Sequence, residues 1–172
     1  EMSSGGVAVI PRDDDYFERL RDRAAARGLS VVTFGCAPSA DVHGEVHHAD
    51  LGGIDVTVTY RDASTRARLG LPGRHNAVNI CGAIGAVASV APALPLDAMV
   101  HALEEMRGVG LRCQIERVGG VRIVLDCYNA NPESMSAALR MMCADQAAAR
   151  HVALLGDMEE LGAAAGACHR TV

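Results

Sequence analysis

Three short stretches of this chain combine residue types that could do chemistry. The first is Gly73-Arg74-His75-Asn76-Ala-Val-Asn79, at the entry to an Ala-rich segment. If that segment is a helix, its leading N–H groups favour an anion, and Arg74 and His75 add donors. Asn76 and Asn79 are three residues apart, on one helix face, where carboxamides can meet a purine edge. The second pairs Arg112, just beyond Gly108 and Gly110, with Asp126 at the end of an apolar run. A guanidinium at a glycine-relaxed link can swing onto a phosphate. A carboxylate at a strand end can hold a ribose hydroxyl or orient that arginine. The loop after Asp126 adds Asn129 and Asn131. The third stretch is Gly156-Asp157-Met158-Glu159-Glu160-Leu161-Gly162, whose acids could bind an ammonium group, a metal ion or nucleotide hydroxyls. Plainer readings stand beside these: Asn76 as a helix cap, Asn131 as the cap before Pro132, and Asp157 in an ordinary turn.

The elements that must position these groups follow from periodicity. Val121–Leu125 is an apolar run of strand length. Pro132 sits where a helix would begin, with Met135, Ala138, Leu139 and Met142 at helical spacing behind it. This predicts a buried strand, a polar loop and a helix, and in open α/β sheets ligands bind at such strand ends. Upstream, Val7–Ile10, a helix over Tyr16–Arg27 stopped by Gly28, and Val31–Phe34 make a β-α-β run, as expected of a mostly parallel sheet. Ile54, Val56 and Val58 alternate with polar neighbours, and Arg66–Leu71 alternates again after a turn, which predicts an antiparallel hairpin. Helices are expected over Asn76–Val90 and Leu96–Met106, the first packed closely because it is rich in Ala and Gly. Arg107-Gly-Val-Gly-Leu111 reads as a domain boundary, dividing the chain into 1–108 and 109–172. Beyond it come Cys113–Val118, a turn at Gly119-Gly120, and a further buried strand at His151–Leu155. Asp41–Asp50, with His43, His47 and His48, reads as a loop and edge strand in which no fourth metal ligand is evident.

Composition narrows the function. The 172 residues are 49% hydrophobic and 22% charged, enough to build a core. Aromatics are 3% and Trp is absent, so a base-stacking platform for single-stranded nucleic acid is not expected. A net charge of −5 argues against nucleic acid as a partner but not against one bound nucleotide. No apolar run is long enough for a membrane span, and the first residues are not a signal peptide. The six cysteines are scattered without a C-x-x-C pair and read as free thiols, which predicts a cytoplasmic location. All sixteen basic residues are Arg. A chain without Lys cannot carry the Gly-x-x-x-x-Gly-Lys-Ser/Thr phosphate loop, and any ATP chemistry must draw that element from other residues. The chain begins at Glu1, and Val172 interrupts what reads as a fresh helix, so part of a longer protein is expected.

Together the motifs resemble one family, the Mur ligases. Gly73-Arg-His-Asn-Ala-Val-Asn79, with Gly82, Ala83 and Ala86 behind it, is similar to that family's G-x-H-N-x-x-N-x-x-A-A motif. Asp126-Cys-Tyr-Asn-Ala-Asn-Pro-Glu-Ser-Met135 and Leu155–Gly162, followed by His169, resemble the branch that joins D-Ala-D-Ala to UDP-N-acetylmuramoyl-tripeptide. The resemblance implies that residues 1–108 are the later part of a central ATPase domain. Residues 109–172 would then open a Rossmann-like C-terminal domain. It implies ATP and Mg²⁺ as cofactors, with the magnesium ligands outside this chain, and a monomeric enzyme that activates a carboxylate as an acyl phosphate. His75, Asn76, Asn79, Arg112 and Asp126 would bind nucleotide; Asn129, Asn131 and Asp157 would face the dipeptide. Pro11 stands where many relatives have Asn, and Leu125 replaces the first Asp of an Asp-Asp pair. With the phosphate loop absent, the 172-residue chain alone is expected neither to hydrolyse ATP nor to ligate. Two alternatives remain: a sister ligase, either a single-amino-acid muramyl ligase or a folylpolyglutamate synthetase, and a non-catalytic nucleotide- or partner-binding module.

Overall fold

Alternating β-branched residues build the larger lobe of the protein. In the computed structural model, which describes residues 5–106 and 110–172, five strands form one sheet in the order β1-β2-β3-β4-β5. They are β1 (Val7–Pro11), β2 (Ser30–Gly35), β3 (Val42–Asp50), β4 (Gly53–Tyr60) and β5 (Ala63–Leu69). Helix α1 (Phe17–Ala25) connects β1 to β2, which run parallel. β2 and β3 are parallel over a short ladder, Phe34 and Gly35 against Val42 and His43. β3, β4 and β5 are antiparallel throughout.

The sheet is mixed, with the parallel β1-β2-β3 part joined to the antiparallel hairpin that the sequence predicts, and β3 is its central strand rather than an edge. The His-rich stretch hid this, because His43, Glu45, His47 and His48 read as loop chemistry. Val42 and Gly44 nevertheless face the core, and a bulge between Val46 and His48 adjusts the register. The three histidines take separate local partners: the Ala37 carbonyl for His43, Thr57 Oγ1 for His47 and Asp50 for His48. The β4–β5 turn is also tighter than the sequence implies. Only Arg61 and Asp62 lie between the strands, Arg61 adopts φ +53°, and Ala63–Thr65 already pair with Val58–Tyr60.

The alternation in β4 works as expected. Ile54, Val56 and Val58 are fully buried with Val42 and Leu69 in one core that includes the inner face of α2 (His75–Val90). That helix lies close because Gly82 and Gly85 carry no side chain: a Cβ at Gly82 would sit 3.0 Å from the Phe34 ring, and one at Gly85 3.0 Å from Val9. Burial of this apolar face, worth about 25 cal/mol per Å², is the main source of the lobe's stability. α3 (Leu96–Glu104) closes the core with Leu96, Met99 and Val100. In α1, Phe17 and Ala24 are buried as expected, whereas Leu20 stays exposed.

The smaller lobe starts with the hairpin β6 (Gln114–Val118) and β7 (Val121–Leu125), turned by Gly119 and Gly120, both at positive φ. α4 (Pro132–Ala144) follows, then a 3-10 turn (Gly162–Ala164) and α5 (Ala165–Thr171). β7 is not the buried strand that its composition implies, because a two-stranded hairpin covers only one face and leaves Val121 and Ile123 exposed. His151–Leu155 is not a strand at all. No ladder partner lies beside it among the described residues, and Leu154 is 99% exposed. Of the expected boundary at Arg107–Leu111, residues 107–109 lie outside the described residues. No helix among the described residues is long and apolar enough to cross a membrane.

Candidate functional site

A cleft of about 530 Å³ lies between the two lobes. His75, Asn76 and Asn79 line it from the first turns of α2; Arg112, Asp126 and Asn131 line it from the smaller lobe. Six of the eight residues picked from sequence thus share one cavity. Asn129 and Asp157 do not. Asn129 is exposed and accepts the Ala130 N–H, and the Asp157 side chain is 98% exposed.

The α2 wall is built by a glycine. Gly73 holds φ +93°, a region that penalises any Cβ, and a Cβ there would come within 2.6 Å of the His75 ring. Met141 of α4 approaches the same glycine from the other lobe. Asn76 is not the helix cap; Arg74 holds that position without a side-chain cap bond. Instead the Asn76 amide donates to the Pro72 carbonyl at 2.7 Å, and its oxygen accepts from Asn79 Nδ2 at 3.1 Å. This fixes both carboxamides and leaves the Asn79 oxygen without a partner among the described residues. Burial holds the His75 imidazole below its ordinary pKa, partly opposed by the Asp126 carboxylate across the cleft. The ring is therefore neutral near pH 7, able to donate from one nitrogen and accept at the other.

On the opposite wall, Asp126 accepts the Cys113 N–H at 3.1 Å. Desolvation first, then the Asp126 charge and its bond to the thiol, push Cys113 up to about 11, so it stays a thiol. Asn131 does cap α4: its side chain accepts the Ser134 N–H, the Ser134 hydroxyl accepts the Asn131 N–H, and Pro132 occupies the first helical position. The capping reading and the cavity reading thus hold together, with the Asn131 oxygen already engaged. Asp157 faces His169 at 3.7 Å, and His169 Nε2 accepts the Met158 N–H.

Several cavity residues were given no site role from sequence. Leu71, Pro72, Ile80, Ala83, Leu103 and Met106 form an apolar floor, and Glu133 and Ser134 add polar groups from the start of α4. Ser134 could have been found from the Asn-x-x-Ser spacing of a capping box. The floor residues carry no such signal, because a groove-lining Leu and a core Leu look alike in sequence. Chemically, the cleft offers a guanidinium, a carboxylate, a neutral imidazole and two ordered carboxamides around an apolar base. That set suits a nucleotide.

Comparison with known proteins identifies the family. Residues 1–87 match the model of the Mur ligase middle domain, and residues 111–172 that of the Mur ligase glutamate ligase domain. The chain is 40% identical over 105 residues to the UDP-N-acetylmuramoyl-tripeptide–D-alanyl-D-alanine ligase of Treponema pallidum, covering 61% of this chain and 22% of that protein. It is 33% identical over 156 residues to the UDP-N-acetylmuramate–L-alanine ligase of Mycolicibacterium gilvum, covering 87% and 32%. A crystal structure of MurF from Acinetobacter baumannii superposes with a TM-score of 0.86 at 27% identity, covering 95% of this chain and 34% of that one. The chain thus spans about a third or less of the length of these relatives. With one family model matched across its first half and a second across its last third, the chain belongs to the Mur ligase family.

Proposed function

We propose that this chain is the nucleotide-gripping part of an ATP-dependent ligase that adds D-Ala-D-Ala to UDP-N-acetylmuramoyl-tripeptide in peptidoglycan precursor synthesis. The observation that carries the reading is the single cleft in which His75, Asn76 and Asn79 face Arg112 and Asp126. In this assignment residues 1–108 are the later part of a central domain and 109–172 the first part of a C-terminal one. Arg112 would sit by the phosphates and Asp126 by the ribose hydroxyls, while the asparagines meet the base. Asn131 and Glu133, at the head of α4, would lie towards the incoming amine, with Asn129 and Asp157 meeting the dipeptide as the lobes close. The bound nucleotide supplies the phosphoryl group that activates the substrate carboxylate. What these residues contribute is a cationic clamp and the exclusion of water from an acyl phosphate. Magnesium ligands and the phosphate loop are assigned to residues outside the chain, and the whole to a cytoplasmic monomer.

The dipeptide-adding branch is supported by the 40% identity to the Treponema pallidum ligase and by the likeness to the Acinetobacter baumannii structure. A second reading, an L-alanine-adding ligase, is supported by 33% identity over a longer stretch. Phosphate release by the full-length protein separates them. With ATP, Mg²⁺ and UDP-muramoyl tripeptide, D-Ala-D-Ala should stimulate release and single amino acids should not. Stimulation by L-Ala with UDP-N-acetylmuramate would overturn the branch assignment.

A further inference from the structure

Arg112 stands in an unusual turn. Its neighbours Leu111 and Cys113 both adopt left-handed backbone, φ +62° and +46°, which non-glycine residues avoid. The turn persists because it is bolted to the loop after β7. The Leu111 carbonyl accepts the N–H groups of Cys127 at 3.0 Å and Tyr128 at 3.2 Å. The Cys113 N–H donates to Asp126, and the Leu111 N–H to Gln114 Oε1 at 3.1 Å. The same loop that carries Asp126 therefore sets where the Arg112 side chain begins.

It also sets where that side chain ends. The Arg112 guanidinium lies over the Tyr128 ring, its carbon 4.3 Å from the ring centre. Arg112 makes no ion pair among the described residues, whereas Arg66, Arg68 and Arg122 are each held by an Asp. The distinction matters chemically. A carboxylate partner would neutralise the charge and occupy the N–H fork. A ring face attracts the cation while leaving its in-plane donors open to a planar or tetrahedral oxyanion. Tyr128 is 63% exposed, contributes nothing to the core, and contacts the one arginine of the smaller lobe that lines the cleft.

We infer that Tyr128 is a positioning residue: its ring shelves the Arg112 guanidinium, pre-organised and with its donors free, for the phosphate groups of the nucleotide. This rests on the reading of the cleft as a nucleotide site and goes beyond it by assigning a task to a residue outside the cavity lining.

The test measures binding of ADP and of adenosine to the full-length protein carrying Tyr128→Leu, Tyr128→Phe, Arg112→Ala or Arg112→Ala with Tyr128→Leu. Tyr128→Leu should weaken ADP roughly fivefold to tenfold, the scale of a partly exposed cation–ring contact. Adenosine, which has no phosphate, should change less than twofold, and Tyr128→Phe should restore most of the ADP affinity because the ring face remains. In the Arg112→Ala background, Tyr128→Leu should add nothing. Equal loss for ADP and adenosine would mean that the ring touches the base, and a Phe variant as weak as Leu would mean that the hydroxyl acts. Additive losses would mean that the two residues act separately. Each result overturns the proposal. If the unaltered protein bound no ADP at all, the nucleotide reading itself would fall instead.

Discussion

The two lobes reach order by different means. The larger one is closed by a continuous apolar core: Val42, Ile54, Val56, Val58 and Leu69 of the sheet and Ala77 and Cys81 of α2 are wholly excluded from solvent. Among the described residues of the smaller lobe only Met141 and Met158 are buried, and the hairpin β6–β7 leaves half its apolar side chains in water. Its geometry rests on discrete polar ties: the Asp126–Cys113 bond, the Asn131–Ser134 capping box, the His169–Met158 bond and the Arg122–Asp145 ion pair. A core built by area is robust to the loss of one polar contact, whereas a lobe built by ties is not. The cleft lies on the seam, so one wall is backed by the continuous core and the other by discrete polar ties.

Leu69→Ala should break the contrast most forcefully. Leu69 is fully buried at the end of β5, and deleting its side chain there should cost about 2–5 kcal/mol in urea unfolding. Val121→Ala in β7, where the side chain is 61% exposed, should change stability by under about 0.5 kcal/mol. Similar losses at the two sites would mean that the smaller lobe has a core of its own.

A middle-sized effect is expected at Asp145, which pairs with Arg122 across the end of α4 and β7; the two side chains are 9% and 21% exposed. Removing one partner of a partly buried pair strands the other charge, so Asp145→Ala should cost about 1–3 kcal/mol. The loss should be local. Amide exchange should accelerate in β6, β7 and α4 and stay unchanged in β4. Acceleration across both lobes would show that they unfold as one unit.

How much of this was legible in the sequence divides along the same seam. In the larger lobe, period-2 alternation in β4 and the small residues of α2 encode burial directly, and both were readable. What misled was the polar stretch His43–His48, since a central strand beside a helix need be apolar on one face only. In the smaller lobe, Val121–Leu125 and His151–Leu155 read as buried strands from residue type alone. Burial requires a neighbour, and a run of Val and Leu does not say whether one is present. From residue type alone His75, Asn79, Arg112 and Asp126 each have a plainer reading; it was the resemblance to a family motif that grouped them, and the cleft brings those four residues together. Tyr128 was quoted within a motif but given no task, since the stacking partner of an arginine is set by a left-handed turn that no residue type announces.

The smallest predicted effect tests the seam itself. Burial holds His75 below its ordinary pKa, while the Asp126 carboxylate from the other lobe pulls it back up. The folded state therefore binds fewer protons at this ring than the unfolded chain does. The stability His75 contributes is fully present above its unfolded value of about 6.5 and is lost as pH falls from there through its folded pKa. Against a His75→Gln variant, the unaltered chain should lose more stability between pH 7.5 and 5.5. The sharper readout is the NMR titration of the His75 ring protons. Their midpoint should lie below that of the exposed, Glu104-paired His101, and Asp126→Asn should move it lower still, since the stabilising carboxylate is gone. The second shift depends on the lobes being together in solution: if Asp126→Asn leaves the His75 midpoint where it was, the cleft is open and the two walls do not sense each other. A downward move means that a residue of the smaller lobe already acts on the larger one before any ligand arrives.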